Sequence, residues 1–353
     1  MHLVICVSAG DRAANTGRAH RCRSVIIAGM PGSRTPTPLT VPHAATAQRP
    51  DWSDLPAEVR DWVVDQLGAA VVSAISERSG YTPGFAARLV LADGRRVFAK
   101  VAGWGREWLL ESYAKEAAKR RTLPAGVPAP ELIIDARTVI DSTEWQLVIF
   151  TEIDGRPPHR PWIAGDIRVA VRAVEDAARA LTPAPAGYPW EPLSVELGGL
   201  TPDKEQMITE RFGDHAGEMR DLVAALPERC NGSTLVHADL RDDNRLIGAD
   251  GRGWIVDWNF PLLGRPWTDL VTLLISVRGD GWDADAILAA SRLVGPDDQE
   301  GIDSLLADLA LYYAIASGSP EPDGSPYLRE HQRWSGAVVA DWLAERRHWP
   351  RGR

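Results

Sequence analysis

The sequence is poor in cysteine. Its 353 residues include only Cys6, Cys22 and Cys230, which are too few and too scattered for a disulfide framework or a cysteine-rich metal site. Stable disulfides belong to oxidising compartments. We therefore expect a protein of the reducing cytoplasm.

The chain also lacks an excess of positive charge and long apolar runs. A net charge of −9 argues against a nucleic-acid partner, because neutralising a phosphate backbone requires clustered Lys and Arg. It is compatible with a cationic substrate. No stretch approaches the roughly 20 apolar residues of a membrane-spanning helix, and the apolar run at 3–7 has no basic flank as a secretory signal would. We expect no membrane partner.

The overall composition, with 44% hydrophobic and 25% charged residues, is typical of a globular protein. The length exceeds one ordinary domain of about 100–200 residues, so two lobes are expected. Residues 1–50 mix Gly, Pro, Ser and Thr without periodicity, which predicts a mostly disordered extension, with Met30 as an alternative start. A change of sequence character near residue 153 divides the rest into lobes at 51–153 and 154–353.

The first lobe has strand and helix patterns in alternation. Its strands are predicted at 71–76, 88–91, 95–101, 132–134 and 146–150, and its helices at 57–67 and 111–123. Lys100 lies among Val, Phe and Ala in one strand, where it is either a solvent-facing edge lysine or the ion-pair partner of Glu116. The second lobe is mainly helical, at 166–181, parts of 202–226, 267–277, 284–293, 301–316 and 328–347.

The central motif is His237, Asp239 and Asn244 in the order H-x-D-x-x-x-x-N, followed by Asp257. This is the spacing of a phosphoryl-transfer loop in which Asp accepts the hydroxyl proton and Asn holds Mg²⁺. The Asp-Gly pair at 250–251 predicts a hairpin with a two-residue turn, which would place Asn244 opposite Asp257 with Cβ atoms about 5 Å apart. An amide and a carboxylate suit Mg²⁺ that keeps several waters and binds phosphates.

Neighbouring residues leave alternatives open. His237 is either a catalytic base or a histidine that organises the loop. Arg241 either places charge near the transferred phosphoryl group or pairs with Asp242, and Asp242 and Asp243 are either metal ligands or a charged turn.

The loop at 79–84 brings Gly80 and Gly84 either to nucleotide phosphates or into an ordinary hairpin turn. It has no G-x-G-x-x-G motif. Acidic residues of the helical lobe either bind amines of a polycation or form a solvated face: Asp280, Asp283, Asp285, Asp298, Glu300 and Asp303.

Together these motifs resemble the aminoglycoside phosphotransferase family of small-molecule kinases, part of the protein-kinase-like superfamily. The similar segments lie within about residues 70–345 and are Glu-Ala-Ala at 116–118, Gly-Val-Pro-Ala-Pro at 126–130, Val-Ile-Phe-Thr-Glu at 148–152, Val-His-Ala-Asp at 236–239, Ile-Val-Asp-Trp at 255–258 and Trp-Thr-Asp-Leu at 267–270. The resemblance implies an α+β, two-lobed, protein-kinase-like fold, with a small antiparallel sheet lobe carrying one main helix and a larger, mainly helical lobe.

The resemblance also implies ATP or GTP as donor and Mg²⁺ as cofactor. It implies that Thr151, Glu152 and Ile153 contact the base, Lys100 contacts the phosphates, Glu116 orients Lys100, Asp239 is the base, Asn244 and Asp257 hold Mg²⁺, and Asp269 braces the catalytic loop. Trp-Asn after Asp257, where protein kinases have Phe-Gly, argues against a protein substrate.

The expected activity is phosphoryl transfer to a hydroxyl of an aminoglycoside-like antibiotic or a hydroxylated metabolite, by a monomer or homodimer. One alternative is a catalytically silent nucleotide-binding module of the same fold. Another is a metal-hydrolase centre built from His237, Asp239 and Asp257, which would give Lys100 and Glu116 no role.

Overall fold

The computed structural model describes residues 34–42 and 45–350. The chain before Arg34, which includes Met30 and much of the predicted extension, lies outside the described residues. An antiparallel sheet lobe precedes a larger helical lobe, and the predicted two-lobed α+β class is confirmed. No helix within 34–42 and 45–350 has the length and apolarity needed to cross a membrane.

The sheet lobe has five antiparallel strands in the order β1-β2-β3-β5-β4. They are β1 Val71–Ser76, β2 Phe85–Leu91, β3 Arg96–Ala102, β4 Leu132–Ile140 and β5 Thr143–Thr151, with helices α1 Ala57–Leu67 and α2 Glu107–Thr122. Side chains alternate between the two faces of a strand. Val97, Ala99 and Val101 of β3 pack in the cluster that contains α1, whereas Ala102 packs in the cluster that contains α2.

That alternation places Lys100 on the face of β3 that carries α2. Because β3 lies between β2 and β5, Lys100 is central in the sheet, and its interpretation as an edge lysine is wrong. It is 8% exposed, so its charge needs a partner.

The helical lobe packs around one core that includes Trp258, Trp267 and Trp342. Its helices are α3 Ala164–Ala180, α4 Leu193–Glu196, α5 Pro202–Phe212, α6 Ala216–Ala224, α7 Leu226–Cys230, α8 Thr268–Gly279, α9 Ala284–Ala290, α10 Gln299–Ala316 and α11 Leu328–Arg346. Short strands β6 Gly155–Arg156, β7 Thr234–Val236, β8 Arg245–Gly248, β9 Gly253–Ile255 and β10 Leu262–Gly264 carry the loops that face the sheet lobe. Cys230 is buried and is not in a disulfide.

The β8–β9 hairpin has a different register from the predicted one. Arg245 pairs with Ile255, and Val256 N–H donates to Asn244 O at 3.0 Å. Asn244 is therefore opposite Val256, and the predicted pairing of Asn244 with Asp257 is wrong by one residue. The cause is a three-residue turn in which Gly251 has φ 76°, since the same Asp-Gly pair also serves a longer loop with a left-handed glycine.

Residues 34–42 and 45–50, which we call the strap, do not fit the predicted disorder. Thr37 N–H donates to Gly279 O at 2.8 Å, Ala47 N–H to Arg78 O at 2.9 Å, and Gln48 N–H to Gly324 O at 2.8 Å. Ala47 is buried. The strap has no periodicity because both lobes, and not a helix or sheet of its own, provide its hydrogen-bond partners.

A buried carboxylate fixes the chain where it enters the helical lobe. Asp166 in α3 accepts two hydrogen bonds from Arg156 of β6, at 2.8 and 2.9 Å, and one from the N–H of His159 at 2.9 Å. Burial alone would raise the pKa of Asp166, but the bonds from Arg156 and His159 outweigh it and lower the pKa to about 2. An aspartate in an unfolded chain has a pKa of about 3.9.

This difference predicts a pH-dependent contribution to stability. The folded pKa lies below the unfolded one, so ionised Asp166 stabilises the fold above about pH 4 and loses its contribution as pH falls towards 2. At neutral pH, Asp166→Asn should lower the free energy of unfolding by about 1–3 kcal/mol in urea titrations. The exposed pair of Asp176 with Arg179 provides the control, and Asp176→Asn should change stability by less than about 0.5 kcal/mol.

The difference between wild type and Asp166→Asn should narrow between about pH 5 and pH 3. A difference that stays constant over this range would show that the carboxylate charge is not the source of the effect.

Candidate active site

One cleft between the lobes collects most of the predicted site residues. The sheet lobe provides Gly80, Lys100 and Glu116 to its walls, and the helical lobe provides Asn244 and Asp257. Residues 151–153, which connect the lobes and which we call the hinge, provide Thr151, Glu152 and Ile153. The empty space in the cleft, counted together with the part that is open to solvent, has a volume of about 1090 Å³.

Lys100 joins the two lobes. Its Nζ lies 2.8 Å from both carboxylate oxygens of Glu116 and 2.9 Å from Asp257 Oδ1. Burial would lower the pKa of Lys100, but the carboxylates of Asp257 and Glu116 raise it above its usual value. The lysine is therefore charged at the floor of the cleft.

The two carboxylates differ in protonation behaviour. Burial would raise the pKa of Asp257, but Lys100 outweighs it and holds the pKa at about 2. At Glu116, burial dominates and raises the pKa to about 7 against the opposing charge of Lys100. Asp257 is thus a permanent anion and a suitable ligand for a hard cation.

The hinge offers hydrogen-bonding groups at the far side of the cleft. Thr151 N–H donates to Glu131 O at 2.9 Å, and Glu152 pairs with Arg96 at 2.7 Å. Within the described residues, the N–H of Ile153 and the C=O of Glu152 make no hydrogen bond. These two groups belong to one trans peptide and point in opposite directions, so one of them, and not both, is available to a base in the cleft.

The two glycines of the 79–84 loop have different roles. Gly80 has φ 82° and lines the cleft. A Cβ added to Gly84 would lie 2.3 Å from Tyr113 Oη and 3.0 Å from Leu109, so Gly84 is required for packing against α2. Gly84 is not among the residues that line the cleft, so of the two predicted glycines the structure brings Gly80 to it.

Asp239 is held by an arginine two residues away. Arg241 Nη1 lies 2.5 and 2.6 Å from the two oxygens of Asp239, while Arg241 Nε bonds Asp243 at 2.9 Å. Burial raises the pKa of Asp239, and Arg241 opposes that rise. Arg241 also stacks over the Tyr81 ring at 5.3 Å, which links the catalytic loop to the loop at 79–84.

The neighbouring acids are structural. Asp242 pairs with Arg160 at 2.5 Å, not with Arg241 as one interpretation of the sequence had it. The acidic residues of the helical lobe are likewise engaged: Asp280 with Arg160, Asp285 with Arg346, Asp303 with Arg346 and Arg347, Glu300 with Arg229 and Arg347, Asp283 with Ala286 N–H and Asp298 with Gly295 N–H. They form neither a free polyanionic surface nor a simple solvated face.

His237 does not take a catalytic position. It is 0% exposed, its Nε2 lies 3.0 Å from Val256 O, and its ring meets Trp258 edge to face at 4.9 Å. Its assignment as a catalytic residue is corrected, because the ring is enclosed by the core and cannot reach a substrate. The alternative role in organising the loop agrees with these contacts.

Asp269 braces the same loop from below. Its carboxylate accepts the N–H of His237 at 2.7 Å and the N–H of Ala238 at 3.0 Å. Ala238 has φ 65°, a left-handed conformation that costs a non-glycine residue about 1–2 kcal/mol. The two hydrogen bonds hold this turn and hence the backbone that precedes Asp239.

The donor atoms fit a magnesium ion. Asn244 Nδ2 donates to Asp239 O at 2.8 Å, and Asp257 Oδ1 receives Lys100 and Asn259. Within the described residues, Asn244 Oδ1 and Asp257 Oδ2 accept no hydrogen bond. No group of three His, Cys, Asp or Glu side chains in that part of the chain forms a metal cage, but Mg²⁺ commonly takes one or two protein oxygens and completes its shell with phosphates and water.

Sequence reasoning missed Arg49, which also lines the cleft. It belongs to the strap, and no local pattern in 45–50 signals a contact with residues so distant in sequence.

Comparisons with known proteins bear on the family and the fold. The sequence model described as the phosphotransferase enzyme family matches residues 84–346. A comparison with curated proteins gives no match.

Solved structures of similar fold include three small-molecule kinases. A thermostable mutant of aminoglycoside phosphotransferase APH(4)-Ia, in complex with ADP and hygromycin B, has 14% identity and a TM-score of 0.52 over 82% of this chain and 99% of that chain. Amicoumacin kinase hAmiN, in complex with AMP-PNP, Ca²⁺ and Ami, has 12% identity and a TM-score of 0.53, and the match covers 80% of this chain and 95% of that chain. Macrolide 2′-phosphotransferase MphH from Brachybacterium faecium has 16% identity and a TM-score of 0.53, and the match covers 84% of this chain and 98% of that chain. At these identities the likeness establishes the fold.

The brace at Asp269 gives a prediction. Asp269→Ala leaves two backbone N–H groups without their acceptor, and each costs about 1–3 kcal/mol if it stays buried. We expect a lower free energy of unfolding in urea titrations and a more mobile catalytic loop, seen as faster amide exchange of residues 237–239. The control is Asp298→Ala, which removes a similar bond to Gly295 N–H in a more accessible turn. It should leave the amide exchange of residues 237–239 unchanged and should alter the free energy of unfolding by less than about 1 kcal/mol. Unchanged exchange at 237–239 would contradict the brace.

Proposed function

The chain belongs to the phosphotransferase enzyme family, and from that premise we propose that it transfers the γ-phosphoryl group of ATP or GTP to a hydroxyl of a small molecule. The observation that carries this proposal is the bonding of Lys100 to Glu116 and Asp257 across the cleft. In phosphoryl transfer the protein mainly positions groups and stabilises charge. A charged lysine between the lobes, beside an amide and a permanent carboxylate, meets that requirement.

The nucleotide would lie between the hinge and Lys100. Ile153 N–H or Glu152 C=O would contact the base, because the two groups of one trans peptide point in opposite directions, and Thr151 would form the adjoining wall. Lys100 would contact phosphate oxygens, with Glu116 fixing its position. ATP and GTP stay alternatives, because adenine and guanine each present a donor and an acceptor to such a backbone group.

Asn244 and Asp257 would hold Mg²⁺ through the two oxygens that no described residue occupies. Bound there, the ion supplies positive charge that neutralises the phosphate oxygens during transfer. Asp257 remains ionised throughout the neutral range because its pKa is about 2.

Asp239 would accept or orient the proton of the acceptor hydroxyl. Burial raises its pKa towards the working range of a base, and Arg241 fixes the orientation of the carboxylate. Two lone pairs per oxygen leave capacity for a hydroxyl alongside Arg241. The same guanidinium would place positive charge next to the transferred group.

The acceptor is proposed to be a hydroxylated antibiotic or metabolite. The arginine partners of Asp280, Asp285 and Asp303 weigh against these acids as a site for a polycation such as an aminoglycoside. In α10, burial raises the pKa of Tyr312 and of Tyr313, and the charge of Asp239 adds to both rises.

One observation favours the second candidate, a silent nucleotide-binding module. Arg241 already occupies both oxygens of Asp239, and such a pair would suppress a base if it persisted with substrate bound. ATP binding without turnover over a broad panel of hydroxylated acceptors would support this candidate. A metal-hydrolase centre has no such support, because the ring of His237 is bound to Val256 O inside the core.

Asp239→Ala tests the base. We expect kcat to fall by at least about 10²–10⁴-fold in an ATP-dependent assay of acceptor mass gain, with the Kd for ATP nearly unchanged. Asp250→Ala, which removes a carboxylate at the exposed turn of the hairpin, serves as control and should retain wild-type turnover. Survival of turnover in Asp239→Ala would overturn the mechanism.

Metal removal tests the ligand pair. A chelator should abolish transfer and added Mg²⁺ should restore it. Asn244→Ala should raise the Mg²⁺ concentration for half-maximal activity by about 10–100-fold, since one of two protein ligands is lost. Asn231→Ala, which breaks a bond to Ser194 away from the cleft, should keep the wild-type requirement. An identical Mg²⁺ dependence in Asn244→Ala would exclude Asn244 as a ligand.

A further inference from the structure

The strap brings a cation into the nucleotide cleft from outside the family match at 84–346. Arg49 lines the same cleft as Lys100, Glu116, Asp257 and Gly80. We propose that Arg49 binds the phosphate groups of the nucleotide and supplies, through its side chain, contacts that the glycine-poor loop at 79–84 does not offer. This inference rests on the proposed function.

The position of Arg49 is defined by its neighbours. Its Nη2 lies 3.1 Å from the point that a Cβ on Gly80 would occupy, so the guanidinium lies directly against the loop. On the cleft side it acts on Tyr113, where burial raises the pKa to about 12 while Arg49 and Lys100 oppose the rise. Lys100 Nζ is itself 5.6 Å from the Tyr113 ring. Arg49 and Lys100 therefore line one cleft, and the charges of both act on Tyr113.

Arg49 has hydrogen-bonding capacity to spare. Its Nε is buried and makes no hydrogen bond with any residue in 34–42 and 45–350, and no carboxylate in that part of the chain forms an ion pair with it. A buried donor without an acceptor is costly. A phosphate group, with several acceptor oxygens and negative charge, would satisfy a guanidinium in its preferred two-point geometry.

The backbone around Arg49 is held in place. Thr46 N–H and Ala47 N–H both donate to Arg78 O at 2.9 Å, and Thr46 Oγ1 donates to Gly80 O at 2.7 Å. On the other side, Gln48 N–H donates to Gly324 O at 2.8 Å. Binding therefore requires ordering of little more than the side chain of Arg49, which limits the entropy lost.

The loop itself gives the reason for an added cation. In glycine-rich loops, successive backbone N–H groups approach the phosphates. Here Gly84 is committed to packing against Tyr113, which leaves Gly80 as the loop glycine at the cleft. An arginine from the strap, placed against Gly80, provides a donor set at the position where the loop is deficient.

The test compares nucleotide affinities of the full chain. Calorimetric Kd values for ATP with Mg²⁺ and for adenosine are measured for the wild type, Arg49→Gln, Arg49→Lys and Arg179→Gln. Arg179 is an exposed arginine that pairs with Asp176 on α3, so its variant controls for the loss of one positive charge.

Arg49→Gln should weaken ATP binding by about 10-fold or more and leave adenosine binding within about 2-fold. Arg49→Lys should recover part of the ATP affinity, and Arg179→Gln should match the wild type. Thermal unfolding of each variant verifies that it is folded. If Arg49→Gln does not fold, the Arg49→Lys variant tests the proposal instead. A lysine cannot bind a phosphate group at two points, so this variant should still bind ATP more weakly than the wild type and bind adenosine equally well.

Equal ATP affinity of the wild type and Arg49→Gln would overturn the role of Arg49 and leave the proposed function intact. A parallel loss for ATP and adenosine would also overturn it, because a phosphate contact cannot affect a ligand without phosphates. Tighter ATP binding in Arg49→Gln would show that Arg49 obstructs the cleft. A wild type that binds neither ATP nor GTP would overturn the proposed function together with this inference.

Discussion

The ion cluster of Lys100, Glu116 and Asp257 is the interaction on which the geometry of the cleft depends. A buried cation is tolerated only when carboxylates offset its desolvation, and here one carboxylate comes from α2 and the other from the helical lobe. The position of Lys100 on the central strand β3 is fixed by strand alternation. At the floor of the cleft, the two lobes are consequently joined by charge.

This cluster also couples stability to function. Lys100 pairs with two carboxylates in the structure, yet the same ammonium and the same Asp257 are the groups that would receive phosphate and metal. A buried pair is worth little compared with an apolar replacement, whereas loss of one partner is severe. A buried ion cluster is therefore an inefficient way to hold two lobes together. Its presence is explained if the charges of Lys100 and Asp257 serve to bind phosphate and metal.

Local patterns were sufficient to predict the parts of this site that depend on local geometry. Strand and helix patterns predicted the elements that carry Lys100 and Glu116, with their ion pair as one of two alternatives for Lys100, and the H-x-D-x-x-x-x-N spacing identified the loop of Asp239. The hairpin register was wrong because Asp-Gly is compatible with more than one loop length. The role of Gly84 depends on Tyr113, and the partner of Asp280 is Arg160, 120 residues away. Neither contact leaves a periodic trace in the sequence.

The strap shows why a segment without periodicity can nevertheless be ordered. Each of its backbone groups that is buried requires a partner, and the partners come from Arg78, from Gly324 and from α8 and α11 through Gly279 and Trp334. The side chain of Thr46 also donates to Gly80 O in the loop at 79–84. This loop contacts the helical lobe directly, since Tyr81 stacks on Arg241 and on His331. The strap, the loop and Asp239 thus share one set of contacts through Tyr81, Arg241 and Thr46. A chain of contacts therefore connects the strap to the carboxylate of Asp239.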